Sequence, residues 1–544
     1  MIAPMSHVDL LCLSSDGDAT LSALRELGVM HLDLASASGV GVDEAKGGVA
    51  AAERALRLIL KARGKSAAAG LEVRSRSVDE VLAIGADRDV LSAEMDRLGR
   101  EMRRLEPYGD FDPELARKLL GLGIDIADRL PEKLPEMRLS KMREKHGRIA
   151  NRIAVDDAKL ASTDDAAIMR MFPELADRVA FAAARELLEN RGAVSVVSGW
   201  VPSARAGELR ARAAKMGWGL LLRDPAEGET PPTLIEPPRF FRSVKALFSG
   251  LGIAPAYTES DVSVPFMCYF SLFFAMLVGD GAYGAIFLAG TLAMRKKLPK
   301  SWFILLTVFS SATVAWGVLS NTWFGAQIPW LAGLPTVAWL ADPSYHNMML
   351  LCFTIGVSHL MLARIWNGVC RLPDSTAVAE FGWAGILLFM YFVTNSIVGI
   401  FSGIPSWAFW TFGVSLASVF GFSVKPSELK TRGAELGMLP LNVMSALGDI
   451  ISYVRLFAVG LASVKVAENF NSMATGLVSS GNALWLNALM CVAMVAILVV
   501  GHALNLAMAG LSILVHAVRL NTLEFSNHKG VSWSGSEYRP FRKN

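Results

Sequence analysis

The sequence predicts a mostly α-helical protein in two parts. Small N-terminal α/β lobes on a long antiparallel coiled-coil arm fill residues 1–235, and a polytopic helical membrane domain of about eight helices fills 263–525. Residues 236–262 read as a linker and 526–544 as a tail. Three observations carry this. Charges run throughout 1–235, whereas long apolar runs dominate 263–525. A strand–helix–strand plan occurs near both ends of the polar part. Between them, in LSAEMDRLGREMRRLE, Leu91, Met95, Leu98 and Met102 recur at the 4-3-4 spacing of a coiled-coil seam.

In the polar part, SHVDLLCL (6–13) reads as a strand, DATLSALRELG as a helix closing at Gly28, and VMHLDL as a second strand. Residues 193–222 repeat the plan: AVSVVSG, a turn at WVPS, the helix ARAGELRARAAKMG, then WGLLL. Helices are predicted over 43–64, 78–106, 132–161 and 174–191. Leaving and returning between two small lobes, they form an antiparallel arm; the plainer alternative is an ordinary helical domain. No Walker loop, no GxGxxG after a strand and no metal-ligand spacing occurs, so neither cofactor nor metal is expected. The five cysteines show no metal or redox spacing. A net charge of only +3 gives no argument for a nucleic-acid partner. No signal peptide opens the chain, so the polar part is expected in the cytoplasm.

Apolar segments run over 263–294, 301–325, 346–366, 381–401, 405–422, 434–475 and 482–525. Basic residues cluster at RKKLPK (295–300), Arg364, Arg371, KPSELKTR (425–432) and the tail, while the loops near 326–345 and 402–405 are almost uncharged. If 263–294 were one span from a cytoplasmic N-terminus, every basic loop would lie outside, against the positive-inside rule. Two short crossings broken at GDGAYG (279–284) remove the conflict. The count becomes eight, with both termini cytoplasmic. The last two segments, ~40 residues each, span ~60 Å as helices and must tilt, kink or project.

Within these two segments lie Arg455, in ISYVRLFAVGLASVK, and Arg519, in LSILVHAVRLNTLEF. An arginine at the centre of a membrane helix costs at least ~2.5 kcal/mol. Helical phase places Gly448, Ser452, Val459, Ala462 and Asn469 around Arg455, with Ser445 at the edge; Gly501, Asn505, Met508, Ser512 and His516 lie around Arg519. These small and polar faces permit close approach of another surface. An arginine pinned to a carboxylate of its own chain is the competing reading. Asp449 and Glu468 lie far from Arg455 in phase, and Glu524 lies five residues beyond Arg519, so no internal partner is expected. A carboxylate on another polypeptide is then the expected partner, met transiently by guanidinium groups that stay charged.

SYVRLFAVGLA (452–462), FFAMLVGDGAYG (273–284) and APAYTESDVSVPF (254–266) resemble the membrane stator subunit of rotary V/A-type ATPases, called subunit a or subunit I, in its short prokaryotic form. GVLSNTWFG (317–325), IGVSHLMLARI (355–365), VMHLDL (29–34) and SGWVPSARAGELR (198–210) resemble further blocks of that family. The resemblance implies a multi-pass protein of the prokaryotic inner membrane. It implies a ring of proteolipid c/K subunits as partner, peripheral stalks of E/G type held by the soluble arm, and a central-stalk subunit in the same complex. It also implies that Arg455 and Arg519 separate two half-channels for protons or sodium. His516, Ser452, Asn505, Ser512 and Glu524 are further ion-path candidates, with His359 and His502 weighed beside them; Asp280 is either a turn former or on the ion path. The chain itself is expected to be non-catalytic. A secondary transporter with a cytoplasmic regulatory domain is the rival, and it would show internal repeats; none is evident between 263–420 and 430–525. A membrane-anchored scaffold would not need two phased arginine stripes.

Overall fold

The computed structural model describes residues 1–65, 73–122, 124, 130–326, 337, 339, 345–425, 434–477 and 484–543. The expected loop 326–345 and the basic run 425–432 fall mostly outside them. The chain divides into two compact units: Ser6–Asp224 with the tail from Arg539, and Met1–Met5 with Pro225–Tyr538.

In the first unit the strands are β1 (Met5–Leu13), β2 (Glu189–Arg191), β3 (Val194–Pro202) and β4 (Gly219–Arg223), joined in the order β2-β3-β1-β4. This corrects the two-lobe expectation, because the N-terminal strand and the strands near 193–222 share one sheet. β1 pairs antiparallel with β4, His7 opposite Arg223 and Leu11 opposite Gly219. The cause is legible in the alternation. Val8, Leu10 and Cys12 of β1 and Val197 and Val201 of β3 all point into one core with Leu21 and Leu24 of α1 (Gly17–Leu27) and Leu209 of α2 (Ala206–Met216). Split apart, each half would leave that face open. VMHLDL is not a strand of the sheet; it makes one bridge, His31 to Trp200, with N–H···O distances of 2.7 and 2.9 Å.

The arm consists of four long helices, Val40–Lys65, Val78–Leu105, Leu139–Ala161 and Asp165–Glu186. Cross-helix ion pairs fix their direction. Arg143 meets Glu106, Lys145 meets Glu94, and Arg88 meets Asp157, so one residue number rises as the other falls. Arg63 lies 3.0 Å from Asp165 at one end of the other pair, and Gly48 lies under Leu175 nearer the far end. Both pairs are therefore antiparallel. Ser77 and Glu80 form a reciprocal capping box at the start of the second helix. Leu98 and Met102 of the expected seam pack against Leu105, Leu139 and Met142.

In the second unit, among the described residues, five helices are long and apolar enough to cross a membrane: Lys300–Ser320, His346–Arg371, Thr376–Ile397, Leu439–Thr475 and Ala488–Lys529. Ser406–Phe422 is a shorter apolar helix. The run 263–294 is broken into Ser263–Val278 and Gly281–Ala293, bent by 119°. The break is built by side-chain chemistry. Gly279 takes φ 68°, a left-handed conformation open to glycine. Buried Asp280 accepts from the Ala282 and Tyr283 amides through Oδ1 and from the Gly325 amide through Oδ2. Gly281 donates its N–H to the Thr322 carbonyl, and a Cβ on Gly317 would stand 2.1 Å from the Gly281 Cα. The GDGAYG turn is thus clamped on the GVLSNTWFG segment. Asp280 is a turn former whose two oxygens are both occupied.

Candidate functional site

The two long helices both depart from α geometry beside their arginines. The first stops at Ile451 and resumes at Val454. Across this break the Arg455 and Leu456 amides donate to carbonyls only three residues back, Ser452 and Tyr453, at 3.3 and 3.0 Å. Ser452 Oγ donates to the Asp449 carbonyl, 2.7 Å, so it serves the same turn. Tyr453 anchors the break: it is fully buried, its ring lies over Gly356, and its hydroxyl is 2.8 Å from His359 Nδ1. His359 is itself stacked between Tyr269 and Phe525.

The second long helix winds into two π-helical turns, Ile513–Ala517 and Leu520–Phe525, with Arg519 between them. A π turn bonds i to i+5, so residues five apart share a face. Glu524, five beyond Arg519, is thereby carried onto the arginine face. Its Oε1 lies 3.4 Å from Arg519 Nε and 3.7 Å from Arg455 Nη1. The expectation that no carboxylate of this chain reaches the arginines is overturned, because it holds only at α-helical pitch and this stretch is π-helical.

One carboxylate shared between two guanidiniums leaves a net positive charge if Glu524 is ionised. Neither contact has hydrogen-bond length for a charged pair. Arg455 Nη1, Glu524 Oε2 and His516 Nδ1 are buried atoms without a hydrogen-bond partner among the described residues. The Arg519 side chain is 55% exposed, Arg455 23% and Glu524 6%. The cluster faces outward: Ser445, Gly448, Ala458 and Ala462 of the first helix and Met508 and Leu511 of the second are uncovered. Ser512 and His516 are half-buried at its rim.

Polar clusters flank the arginines along the helix axes. Asn505, 1% exposed, donates to the Ser463 carbonyl and to the Tyr283 hydroxyl. Tyr283 lies 2.7 Å from His502 Nδ1, His502 Nε2 lies 3.1 Å from Asn471 Oδ1, and Asn471 donates to the Phe324 carbonyl. Read as donors, this is one chain, with His502 carrying its proton on Nε2. On the other side of Arg455, His528 Nε2 donates to Asp449 and its Nδ1 accepts from Arg364. Arg364 and Arg371 both pair with Glu380, 7% exposed, at 3.2 and 2.9 Å. Sequence reasoning missed this charged cluster, since its members come from four separate segments. The one signal was Glu380, an acid inside the apolar run TAVAEFGWAGILLFM.

Similarity to known proteins bears on what such a cluster serves. The chain is 34% identical to the V-type ATP synthase subunit I of Borreliella burgdorferi, over 64% of this chain and 60% of that one. It is 27% identical to V-type ATP synthase subunit I 1 of Treponema pallidum across the whole of both chains. The chain's homologues are thus V-type and A-type ATP synthase subunit I proteins. The A-type ATP synthase subunit I of Methanocaldococcus jannaschii is 23% identical over 64% of this chain and 55% of its own length. Thus the chain spans little more than half of two of these relatives and all of the third. No family model matches the chain. With subunit I homologues and, among the described residues, five span-length apolar helices, it is a membrane protein.

Proposed function

We propose that this chain is a subunit I, the non-catalytic membrane stator of a rotary V/A-type ATPase, and that its arginine face meets a carboxylate carried by a rotating proteolipid ring. The observation that carries the reading is the geometry around Glu524: two permanent cations, loosely held by one acid, on an uncovered face whose first-helix side is small residues, between two polar clusters. A second carboxylate arriving from a ring helix would find Arg519 half open and Arg455 with an unsatisfied N–H. The pair would lower the pKa of that carboxyl and favour loss of its proton or sodium ion. A bare carboxylate returning to lipid is costly, so it must take up an ion first.

The Tyr283–His502–Asn471–Asn505 chain and the Asp449–His528–Arg364–Glu380 cluster are the proposed walls of two half-channels. Asp449 lies six residues before Arg455 and Asn471 sixteen after, about 9 and 24 Å along an ideal helix. The arginines therefore stand between them and would block a continuous ion leak. With the bent pair as two short crossings the chain would cross eight times, both termini cytoplasmic, in a prokaryotic inner membrane. The antiparallel arm suits a grip on E/G-type peripheral stalks, which must resist torque, within a complex that also holds a central stalk.

The test is ATP-driven ion pumping in membrane vesicles carrying Arg455→Ala. Pumping should vanish while the complex still assembles and hydrolyses ATP; wild-type pumping by an assembled mutant complex would refute the assignment.

A further inference from the structure

The segment at Arg239–Lys245 has no part in the ion path, yet its composition is unusual. Phe240 is 92% exposed, the most exposed aromatic side chain among the described residues, and it stands between Arg239 and Arg242. The helix that follows, Val244–Leu251, buries Val244, Leu247 and Phe248 and leaves Lys245 and Ser249 uncovered. Its far end packs at the start of the span Lys300–Ser320: a Cβ on Gly250 would stand 2.9 Å from the Trp302 ring. That places it beside the turn carrying Arg295, Lys296, Lys297 and Lys300, all exposed.

Glu236, Asp261 and Glu537 attract Lys245, but acids are otherwise sparse along these segments. Glu236 is the sole acid from residue 230 to 258, and no Asp or Glu occurs from 281 to 341. Among the described residues, none of Arg239, Arg242, Arg295, Lys296, Lys297 or Lys300 has an ion-pair or hydrogen-bond partner. The apolar neighbours are those of a membrane boundary: Leu292, Met294, Trp302 and Ile304 at the adjoining helix ends are all exposed.

We propose that Arg239–Lys245 and the basic turn at 295–300 together form an interfacial platform that docks on anionic phospholipid headgroups, with Phe240 inserted as its apolar wedge. Basic side chains beside span ends and an aromatic ring at headgroup depth are what such a surface requires. An acidic protein partner would not need the bare ring at the lipid edge. The platform rests on the membrane reading of these helices and not on the motor. It ties the joint between the soluble segment and the first span to the lipid surface, so the composition of that leaflet bears on the stability of the whole subunit.

Two experiments on the full chain in its native complex test this. Each Lys or Arg near an anionic leaflet strengthens attraction roughly fivefold. Allowing for screening, Arg239→Gln, Arg242→Gln, Lys296→Gln and Lys297→Gln together should lower the ratio of phosphatidylglycerol to phosphatidylcholine retained on extraction roughly tenfold. An unchanged ratio overturns the proposal, as does displacement of the retained lipid by soluble glycerol phosphate, which would mark a site for free anions. Independently, p-benzoylphenylalanine at position 240 should photocrosslink to phospholipid. Crosslinking to another subunit would mark a protein interface instead, and no crosslink would mean that the ring stands in water; either result refutes the wedge.

Discussion

Glu524→Gln tests the arginine cluster most sharply, because it removes one charge and almost no volume. At 3.4 and 3.7 Å, with an effective dielectric of ~20, Coulomb's law gives about 4.5–5 kcal/mol for each contact before desolvation. The Arg519 side chain is 55% exposed, so its share is screened in any aqueous channel; Arg455, at 23%, keeps more. Removing one partner of a buried pair costs about 3–5 kcal/mol, and the open Arg519 lowers the expectation to about 2–4 kcal/mol. The assay is thermal unfolding of the purified membrane complex with a double-mutant cycle against Arg455→Gln. Glu524→Gln should lower the midpoint by several degrees, and the coupling energy should be at least ~1 kcal/mol. A coupling below ~0.3 kcal/mol would show that the two side chains merely lie near each other.

Three further outcomes are expected. Asp280→Ala strips the acceptor from three backbone amides at the bent pair and should destabilise the membrane unit by ~3 kcal/mol or more, read by thermal unfolding, with Asp280→Asn intermediate. Gly317→Ala drives a methyl into the Gly281 backbone and should cost about 1–3 kcal/mol in the same assay, whereas Gly290→Ala, where nothing lies within 4 Å, should be near neutral. Burial holds His31 below its ordinary pKa of 6.5, so the folded first unit keeps it neutral while the unfolded chain takes up a proton. Stability is then full above pH ~6.5 and falls as the pH drops from there through the lower folded value. Urea titrations between pH 5 and 8 should show that slope, and His31→Gln should flatten it.

What the sequence made legible was whatever depends on local periodicity. The two long terminal helices, the bend at GDGAYG and the Leu98–Met102 seam are each written in a continuous stretch, and each appears where its pattern points. What stayed hidden depends on pitch or on distant pairing. Counting at 3.6 residues per turn put Glu524 off the Arg519 face, and only the two π turns bring it round. The shared sheet joins Leu11 to Gly219 across most of the first unit, so no local signal distinguishes it from two separate lobes. The Asp449–His528–Arg364 cluster likewise needs three segments brought together before any of its charges finds a partner.

The central claim is that a moving carboxylate passes the Arg455 face. It is tested most directly by disulfide crosslinking in assembled complexes, between a cysteine at Ala458 or Ala462, both uncovered on that face, and a cysteine beside the carboxylate of the proposed ring subunit. The account predicts rapid crosslinking at both positions, with ATP-driven rotation arrested until the bond is reduced. Absence of crosslinking at both, in complexes that still pump ions, would contradict it.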